Sequence, residues 1–348
     1  MDVQQRHRVV QWTTGKVGSL SLRGILDDPR LELVGVYAFS PDKVGTDAGT
    51  LCGRPEVGVA ATGDIGDILA SDADVVLYTP QLADLDHLTT LLENGLDVVS
   101  TNLLLNVGGL RGEVSERLRK ACDKGNSSLY ISGVNPGWIN TVTAAMTAVC
   151  RDVRSVTISE SADVSVYESP ETWQMFGIGQ PEPPDSHEMA QLALLSFRDA
   201  VERLATSLHT TVDSVDFSIE YATAASTVDL GWMTIEKGTL AALRGGWTGV
   251  TPTGVVLRSD VAWYLTPDLN SDWQFLDDHY RVIVDGEPGL DTRVRFLPPD
   301  SWGNHDWDTM TAMPAVHAIP AVRAASPGIL GLDDAGLSAA PVGLWARD

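Results

Sequence analysis

The chain opens on a short apolar run, Val9-Val10-Gln11-Trp12. After Thr13-Thr14-Gly15-Lys16-Val17-Gly18 it gives way to apolar residues at helical spacing: Leu20, Leu22, Ile25 and Leu26. The pattern changes from period 2 to period 3.6 at the glycines, which predicts a strand, a glycine turn and a helix. Further apolar runs stand at 31–38, 74–79, 96–101 and 128–132, with helical patterns between them at 82–94 and 113–124. Gly125-Asn126 closes the last of these as a good C-terminal cap. Short continuous apolar runs suit parallel strands covered on both faces. Strands alternating with helices wind into a right-handed, doubly wound parallel α/β sheet of the Rossmann kind.

Past Gly133-Val134-Asn135-Pro136-Gly137-Trp138 and a helical stretch at 139–150, the pattern changes. Residues 153–166 alternate (Val156, Ile158) into Glu160, Asp163 and Tyr167, as a long strand would. Strand-like runs follow at 215–222, 238–247, 254–265, 280–285 and 292–297. They predict a second, α+β domain with an open, largely antiparallel sheet whose outer side is solvated or faces a second subunit. A helix is predicted over 186–208, and another over 307–325 that ends at Pro320.

Length and charge narrow the function. A chain of 348 residues has room for two cores, since single cores stop growing near about 250–300 residues. A net charge of −23 argues against nucleic acid or an anionic membrane as partner. An anionic cofactor would then need a local site of backbone amides and a few cations. No apolar run approaches the roughly 18 residues of a membrane span, and the polar start Met1-Asp2-Val3-Gln4-Gln5 does not resemble a signal peptide. Cys52, Cys122 and Cys150 are scattered and lack metal-ligand spacing, which fits buried free thiols in a reducing cytoplasm and no metal.

A strand feeding a glycine turn and a helix presents helix N-terminal amides to a phosphate. On this reading Thr13, Thr14, Gly15, Lys16, Val17 and Gly18 bind a dinucleotide. Gly15 lets the backbone approach the pyrophosphate, and Gly18 lets the helix pack closely. The first glycine of G-x-G-x-x-G is replaced by Thr13, so an ordinary strand-to-helix turn fits the pattern as well. After the second strand, Ala38-Phe39-Ser40-Pro41-Asp42-Lys43 has no acid at the strand tip. Ser40 and Lys43 suit a 2′-phosphate and favour NADP(H), while Asp42 keeps NAD possible. Lys43 would serve equally as a solvated residue opening the next helix. Thr79 and Pro80, with Thr101 and Asn102, end strands at the carboxyl edge where a nicotinamide lies. Asn135 and Trp138 belong to a tight loop suited to nicotinamide and substrate, and equally to a hinge. Residues 168–179 mix aromatics, Met and Gly as a substrate-covering loop does. Tyr167, Trp173, Met175 and Phe176 could wall an apolar pocket or form a small satellite core. His187 reads as a helix cap or a solvent-facing residue, and Trp247, Trp263 and Trp273 as packing or interface residues.

The motifs Trp12-Thr13-Thr14-Gly15-Lys16-Val17-Gly18, Ser40-Pro41-Asp42-Lys43-Val44-Gly45 and Gly133-Val134-Asn135-Pro136-Gly137 recur in order in one family. So do Ala162-Asp163-Val164-Ser165-Val166-Tyr167, Asp285-Gly286-Glu287-Pro288 and the tail Ala315-Val316-His317-Ala318-Ile319-Pro320. The chain resembles 2,4-diaminopentanoate dehydrogenase and the native amine dehydrogenases, distant relatives of dihydrodipicolinate reductase, from residue 9 to about 330. That resemblance implies a homodimeric NAD(P)-dependent oxidoreductase interconverting a primary amine with a ketone plus ammonia. It also implies a dinucleotide domain over 1–136 completed by the tail 309–348, around a substrate-binding and dimerisation domain over 137–308. The family places a glutamate just after the fourth strand to orient ammonia and handle protons. This chain has Asn102-Leu103-Leu104-Leu105 there. Leu103 and Leu104 are then pocket residues, and Glu160 and Asp163, with Tyr167, are the candidates to take over the lost acid's role. A ketone or aldehyde reductase without amination, or a catalytically silent NADP(H)-binding sensor or scaffold, would also fit the loss.

Overall fold

The computed structural model describes residues 6–102, 112–181, 183, 187–275 and 279–335. The chain divides into two compact units, Met1–Thr141 together with His305–Asp348, and Val142–Asn304.

In the first unit β1 (His7–Trp12) leads through the glycine turn to α1 (Lys16–Asp27) and β2 (Leu31–Tyr37). The short α2 (Ala48–Leu51), β3 (Ala61–Thr62) and α3 (Ile65–Leu69) follow. Next come β4 (Val75–Tyr78), α4 (Leu85–Glu93), β5 (Asp97–Ser100), α5 (Glu113–Gly125) and β6 (Ser128–Ile131), then α6 (Ile139–Thr147), of which all but the first three residues belong to the second unit. The elements from α2 to α3 were not foreseen, because runs this short carry no readable period. Asn126 ends α5 in the left-handed conformation, φ 53°, as its place after Gly125 predicts.

The second unit begins with β7 (Asp152–Asp163), α7 (Pro170–Met175), α8 (Glu188–Ala193), α9 (Leu195–Ser207) and β8 (Ser214–Thr223). A small ribbon of β9 (Val228–Asp229) and β10 (Thr234–Ile235) precedes β11 (Leu240–Val250), β12 (Val256–Tyr264), β13 (Tyr280–Glu287) and β14 (Leu290–Val294). Its six-stranded sheet runs β14-β13-β7-β12-β11-β8, and only the β7–β12 pairing is parallel, so the sheet is largely antiparallel. The helix expected over 186–208 is instead two. Leu194 lies between them at φ −99°, ψ 17°, and its carbonyl accepts a 2.8 Å hydrogen bond from the indole of Trp247. The same carbonyl accepts from the Phe197 amide at 3.1 Å, a tight turn that starts the second helix. Residues 168–179, expected as a loop, contain α7.

The tail returns to the first unit as α10 (Thr309–Ala324) and β15 (Gly328–Leu330), completing a seven-stranded parallel sheet of order β15-β6-β5-β4-β1-β2-β3. Val10, Val76 and Val98 point to one face under Leu88, Leu91, Leu92 and Leu118; Val9, Val75, Leu77 and Val99 point to the other under Val316, Ile319 and Val322. Alternate residues of each strand therefore feed two cores, which is why the runs read as continuously apolar.

The helix α10 does not end at Pro320 but runs through both Pro314 and Pro320. An interior proline costs about 3 kcal/mol. Burying Val316, Ile319 and Val322 returns about 1.5–3 kcal/mol for each side chain, enough to offset the two prolines' combined cost of about 6 kcal/mol. Arg323 anchors the helix end, donating to Asp97 Oδ2 at 2.6 Å, while Asp97 Oδ1 accepts from the Ser128 amide at 2.6 Å.

His317 on α10 and His7 on β1 both have their pKa lowered, first by burial. A histidine with a depressed folded pKa contributes stability present above its unfolded value near 6.5 and lost as pH falls toward the folded value. The melting temperature is therefore expected to drop from about pH 7.5 to about pH 5.5, and to drop less in His317→Gln. Equal drops in the two proteins would show that His317 titrates as it does unfolded.

Among the described residues, no helix is long and apolar enough to cross a membrane.

Candidate functional site

The turn after β1 is built around a strained residue. Thr13 stands at φ +70°, the left-handed conformation that glycine favours and a β-branched residue resists. The missing glycine of the fingerprint is thus replaced in chemistry but not in backbone shape. Thr13 donates its amide to Tyr37 O at 2.8 Å. A Cβ on Gly18 would lie 2.4 Å from Thr13 O and 2.9 Å from Thr79 Oγ1, so the helix can sit this close only with glycine. A Cβ on Gly15 would meet nothing within 4 Å. Gly15 is the N-cap of α1, and the first turn has neither a side-chain cap nor an acid to neutralise the helix end. Lys43 reaches back over the turn, its Nζ 2.9 Å from Thr14 O and 3.3 Å from Thr14 Oγ1. Lys16 is exposed at the first position of α1, and Ser40 opens a single helical turn at Pro41–Lys43.

A cavity of about 630 Å³ lies against this turn. Trp12 is stacked on Tyr37 with ring centroids 3.9 Å apart, and His87 stands edge-on to Trp12 at 5.3 Å. Phe39 and Leu82 contribute to the cavity lining while 82% and 85% exposed. Thr79 and Pro80 also line it. Thr79 Oγ1 donates to Trp12 O at 3.0 Å and accepts from Gln11 Nε2 at 2.9 Å. Asn102 donates its side-chain amide to Pro80 O at 3.1 Å and also to Gln81 O, and the Thr101 amide donates to Tyr78 O at 3.2 Å. The ends of β4 and β5 are thereby tied together. Asn135 enters a cis peptide bond with Pro136, and Trp138 closes that loop by donating its amide to Gly133 O at 2.8 Å. Leu103 and Leu104 lie outside the described residues.

The second unit has its own pocket, about 380 Å³, lined by Glu160, Tyr167, Trp173, Met175, Phe176 and Trp263 among others. Glu160 is held at both oxygens: Trp263 Nε1 donates to Oε1 at 3.0 Å, and the Tyr280 hydroxyl donates to Oε2 at 2.8 Å. The rings of Trp173 and Phe176 each stand edge-on to Trp263, at 6.0 and 5.8 Å. Tyr167 stands edge-on to Trp173 at 5.9 Å and accepts the indole N–H of Trp173 at its backbone carbonyl. The structure therefore gathers Glu160, Tyr167, Trp173 and Phe176. Asp163 does not line this pocket; it is exposed and its Oδ1 caps the Ser165 amide at 3.0 Å. His187 takes the N-cap position of α8 without a side-chain cap bond, and its ring lies over Tyr221. Trp247 is buried packing, and Trp273 lies under the Arg244 guanidinium at 4.4 Å. Cys52 and Cys122 are buried free thiols, but Cys150 is only half-buried. Among the described residues, no His, Cys, Asp and Glu cluster could hold a metal ion.

The reading from sequence missed Gln11, Phe39 and Leu82. Gln11 was visible as a polar residue inside an apolar run. Phe39 was visible as an aromatic just past a strand tip.

Residues 9–128 match the family model described as dihydrodipicolinate reductase, N-terminus. An amine dehydrogenase of Streptomyces virginiae is 27% identical over 304 residues, covering 82% of this chain and 84% of that protein. The structure of the amine dehydrogenase from Mycobacterium smegmatis superposes with a TM-score of 0.73 at 20% identity, covering 94% of this chain and 95% of that one. GenD2 from gentamicin A biosynthesis, solved in complex with NAD, superposes with a TM-score of 0.54 at 17% identity, covering 97% and 93%. Over most of its length the chain is thus similar to amine dehydrogenases, and residues 9–128 are similar to the N-terminal part of dihydrodipicolinate reductase.

Proposed function

We propose that the protein is an NAD(P)-dependent dehydrogenase whose first unit binds the dinucleotide and whose second unit holds a small carbonyl, imine or amine at the Glu160 pocket. The observation that carries this reading is the turn from Thr13 to Gly18, left-handed at Thr13 and open above Gly15. An uncapped helix end with Lys43 beside it is a local anion site within a chain of net charge −23. The residues fit a dinucleotide: amides and Lys43 for phosphates, and exposed Phe39 and Leu82 as apolar faces for a base. NADP(H) is the preferred cofactor and NAD the alternative. Phe39 stands where an NAD site carries an acid, and Lys43 and Ser40 follow it.

The bound nicotinamide supplies or accepts the hydride. The chain's own residues bind, orient and move the proton. Trp173, Phe176 and Trp263 exclude water from the pocket, and Glu160 holds or moves a proton at the substrate's nitrogen or oxygen. Glu160 thereby takes the role of the acid that amine dehydrogenases carry where this chain has Leu103 and Leu104. The protein works as a homodimer through the open, largely antiparallel sheet of the second unit. The charge and the scattered thiols support a cytoplasmic site of action.

Oxidation of NADPH and NADH, followed over a panel of small ketones and aldehydes with and without ammonia, tests the reading. Turnover that requires ammonia is expected. Turnover without ammonia would make the protein a carbonyl reductase. Tight NADPH binding without turnover of any carbonyl would establish the silent sensor, which the leucines at 103 and 104 favour.

A further inference from the structure

We infer that Gln11 is a positioning residue that holds Thr13 in its left-handed conformation, so that a buried side-chain amide does the work of the fingerprint's missing glycine. This inference rests on the dinucleotide reading of the turn.

Gln11 is fully buried in β1, two residues before Thr13. Its Nε2 donates to Thr13 O at 2.9 Å and to Thr79 Oγ1 at 2.9 Å, and lies 3.3 Å from Trp12 O. Thr79 Oγ1 donates in turn to Trp12 O at 3.0 Å and lies 3.4 Å from Thr13 Oγ1. The carbonyl and amide of Thr13 are thus both fixed from below and beside, by Gln11 and by Tyr37 O. The peptide plane on each side of Thr13 is thereby set, which forces φ into the region a β-branched residue would otherwise leave. Gly18 is packed against the same carbonyl, so a Thr13 that relaxed to negative φ would turn its oxygen and displace the first turn of α1.

The arrangement is costly in itself. Gln11 Oε1 is buried with no hydrogen-bond partner among the described residues. A buried amide that leaves its own oxygen unsatisfied, yet saturates its nitrogen on the turn, is placed for the turn and not for the core. Glycine at position 13 would need no such brace, because it enters the left-handed region at no steric cost.

Gln11→Met keeps the length of the side chain and removes its donor. Binding of NADPH and of NADH by fluorescence titration, and thermal melting without ligand, are measured for Gln11→Met in the native background and in a Thr13→Gly background. Each background serves as its own baseline, and only the effect of the Gln11 change within it is read. Gln11→Met is expected to weaken NADPH binding about tenfold with Thr13 present, the size of one net hydrogen bond to a buried acceptor. In the Thr13→Gly background the same change is expected to weaken binding less than about threefold, and the loss in melting temperature shrinks in parallel. Equal losses in both backgrounds would overturn the inference and leave Gln11 as ordinary packing. If neither dinucleotide binds the unmutated protein, the proposed function fails, and the melting cycle alone then decides the Gln11–Thr13 coupling by the same criterion. Should Gln11→Met melt below the assay temperature, Gln11→Asn, one methylene short of the turn, is measured in the same two backgrounds.

Discussion

Replacing Gly18 by alanine is expected to weaken NADPH binding about a hundredfold and to lower the melting temperature as well, because forcing a methyl group into a packed site costs about 1–3 kcal/mol. The methyl group would lie 2.4 Å from the carbonyl oxygen of Thr13. That oxygen cannot swing aside, since it accepts from Gln11 Nε2 at 2.9 Å. The strain therefore passes into the turn, moving the first turn of α1 off its position. Gly15→Ala is the informative companion. Gly15 has φ −72°, which any residue adopts, and a methyl group there touches no protein atom within 4 Å. Its melting temperature should stay at the native value. Binding should nonetheless fall about tenfold or more, because the methyl group occupies the space a pyrophosphate needs. Fluorescence titration and thermal melting on both variants separate the effects. Native NADPH affinity in Gly15→Ala would remove this turn as the phosphate site.

The contrast between the two glycines shows what the sequence could and could not carry. Alternating strands and helices were legible in the first unit because each strand there is buried on both faces, which leaves an unbroken apolar run. The tail was misjudged at Pro320 because proline's local cost is visible in sequence, whereas the burial of Val316, Ile319 and Val322 that offsets it is a tertiary fact. The split between α8 and α9 falls at Leu194, whose carbonyl accepts a bond from Trp247, more than fifty residues away. No local pattern reports such a partner. Direction of pairing was equally hidden: alternation marks β7 and β12 as half-buried strands but is the same for parallel and antiparallel neighbours. At the turn, Thr13 was legible as a departure from the glycine fingerprint. That the backbone kept the glycine's conformation was not, since it is set by Gln11 and Tyr37 O from two different strands. Parity along β7 separates the two candidate acids of the second unit. Glu160 shares its parity with Val156 and Ile158, which are buried, while Asp163 has the opposite parity and so falls on the other side of the strand.

Glu160→Gln is expected to lower the turnover of the best ketone about 10²–10⁴-fold, the range general acid–base catalysis supplies, with little change in NADPH affinity or melting temperature. The substitution is mild for the fold because the pocket can satisfy glutamine. The new side-chain oxygen still accepts from Trp263 Nε1, now at 3.0 Å from Glu160 Oε1. The new NH₂ takes the place of Oε2 and donates to the Tyr280 hydroxyl, which now donates across 2.8 Å and can accept instead. Only the capacity to take up and release a proton is lost. Asp163→Asn, at the exposed cap of the Ser165 amide, should change turnover less than about twofold, because asparagine caps a turn as aspartate does. Tyr280→Phe and Trp263→Phe probe the same carboxylate through its partners. Each removes one donor to Glu160 while the carboxylate itself stays, so turnover should fall, but by less than in Glu160→Gln. If Glu160→Gln retains more than about a third of native turnover, a rate loss far below the general acid–base range, Glu160 is a structural carboxylate and the proton must be handled elsewhere.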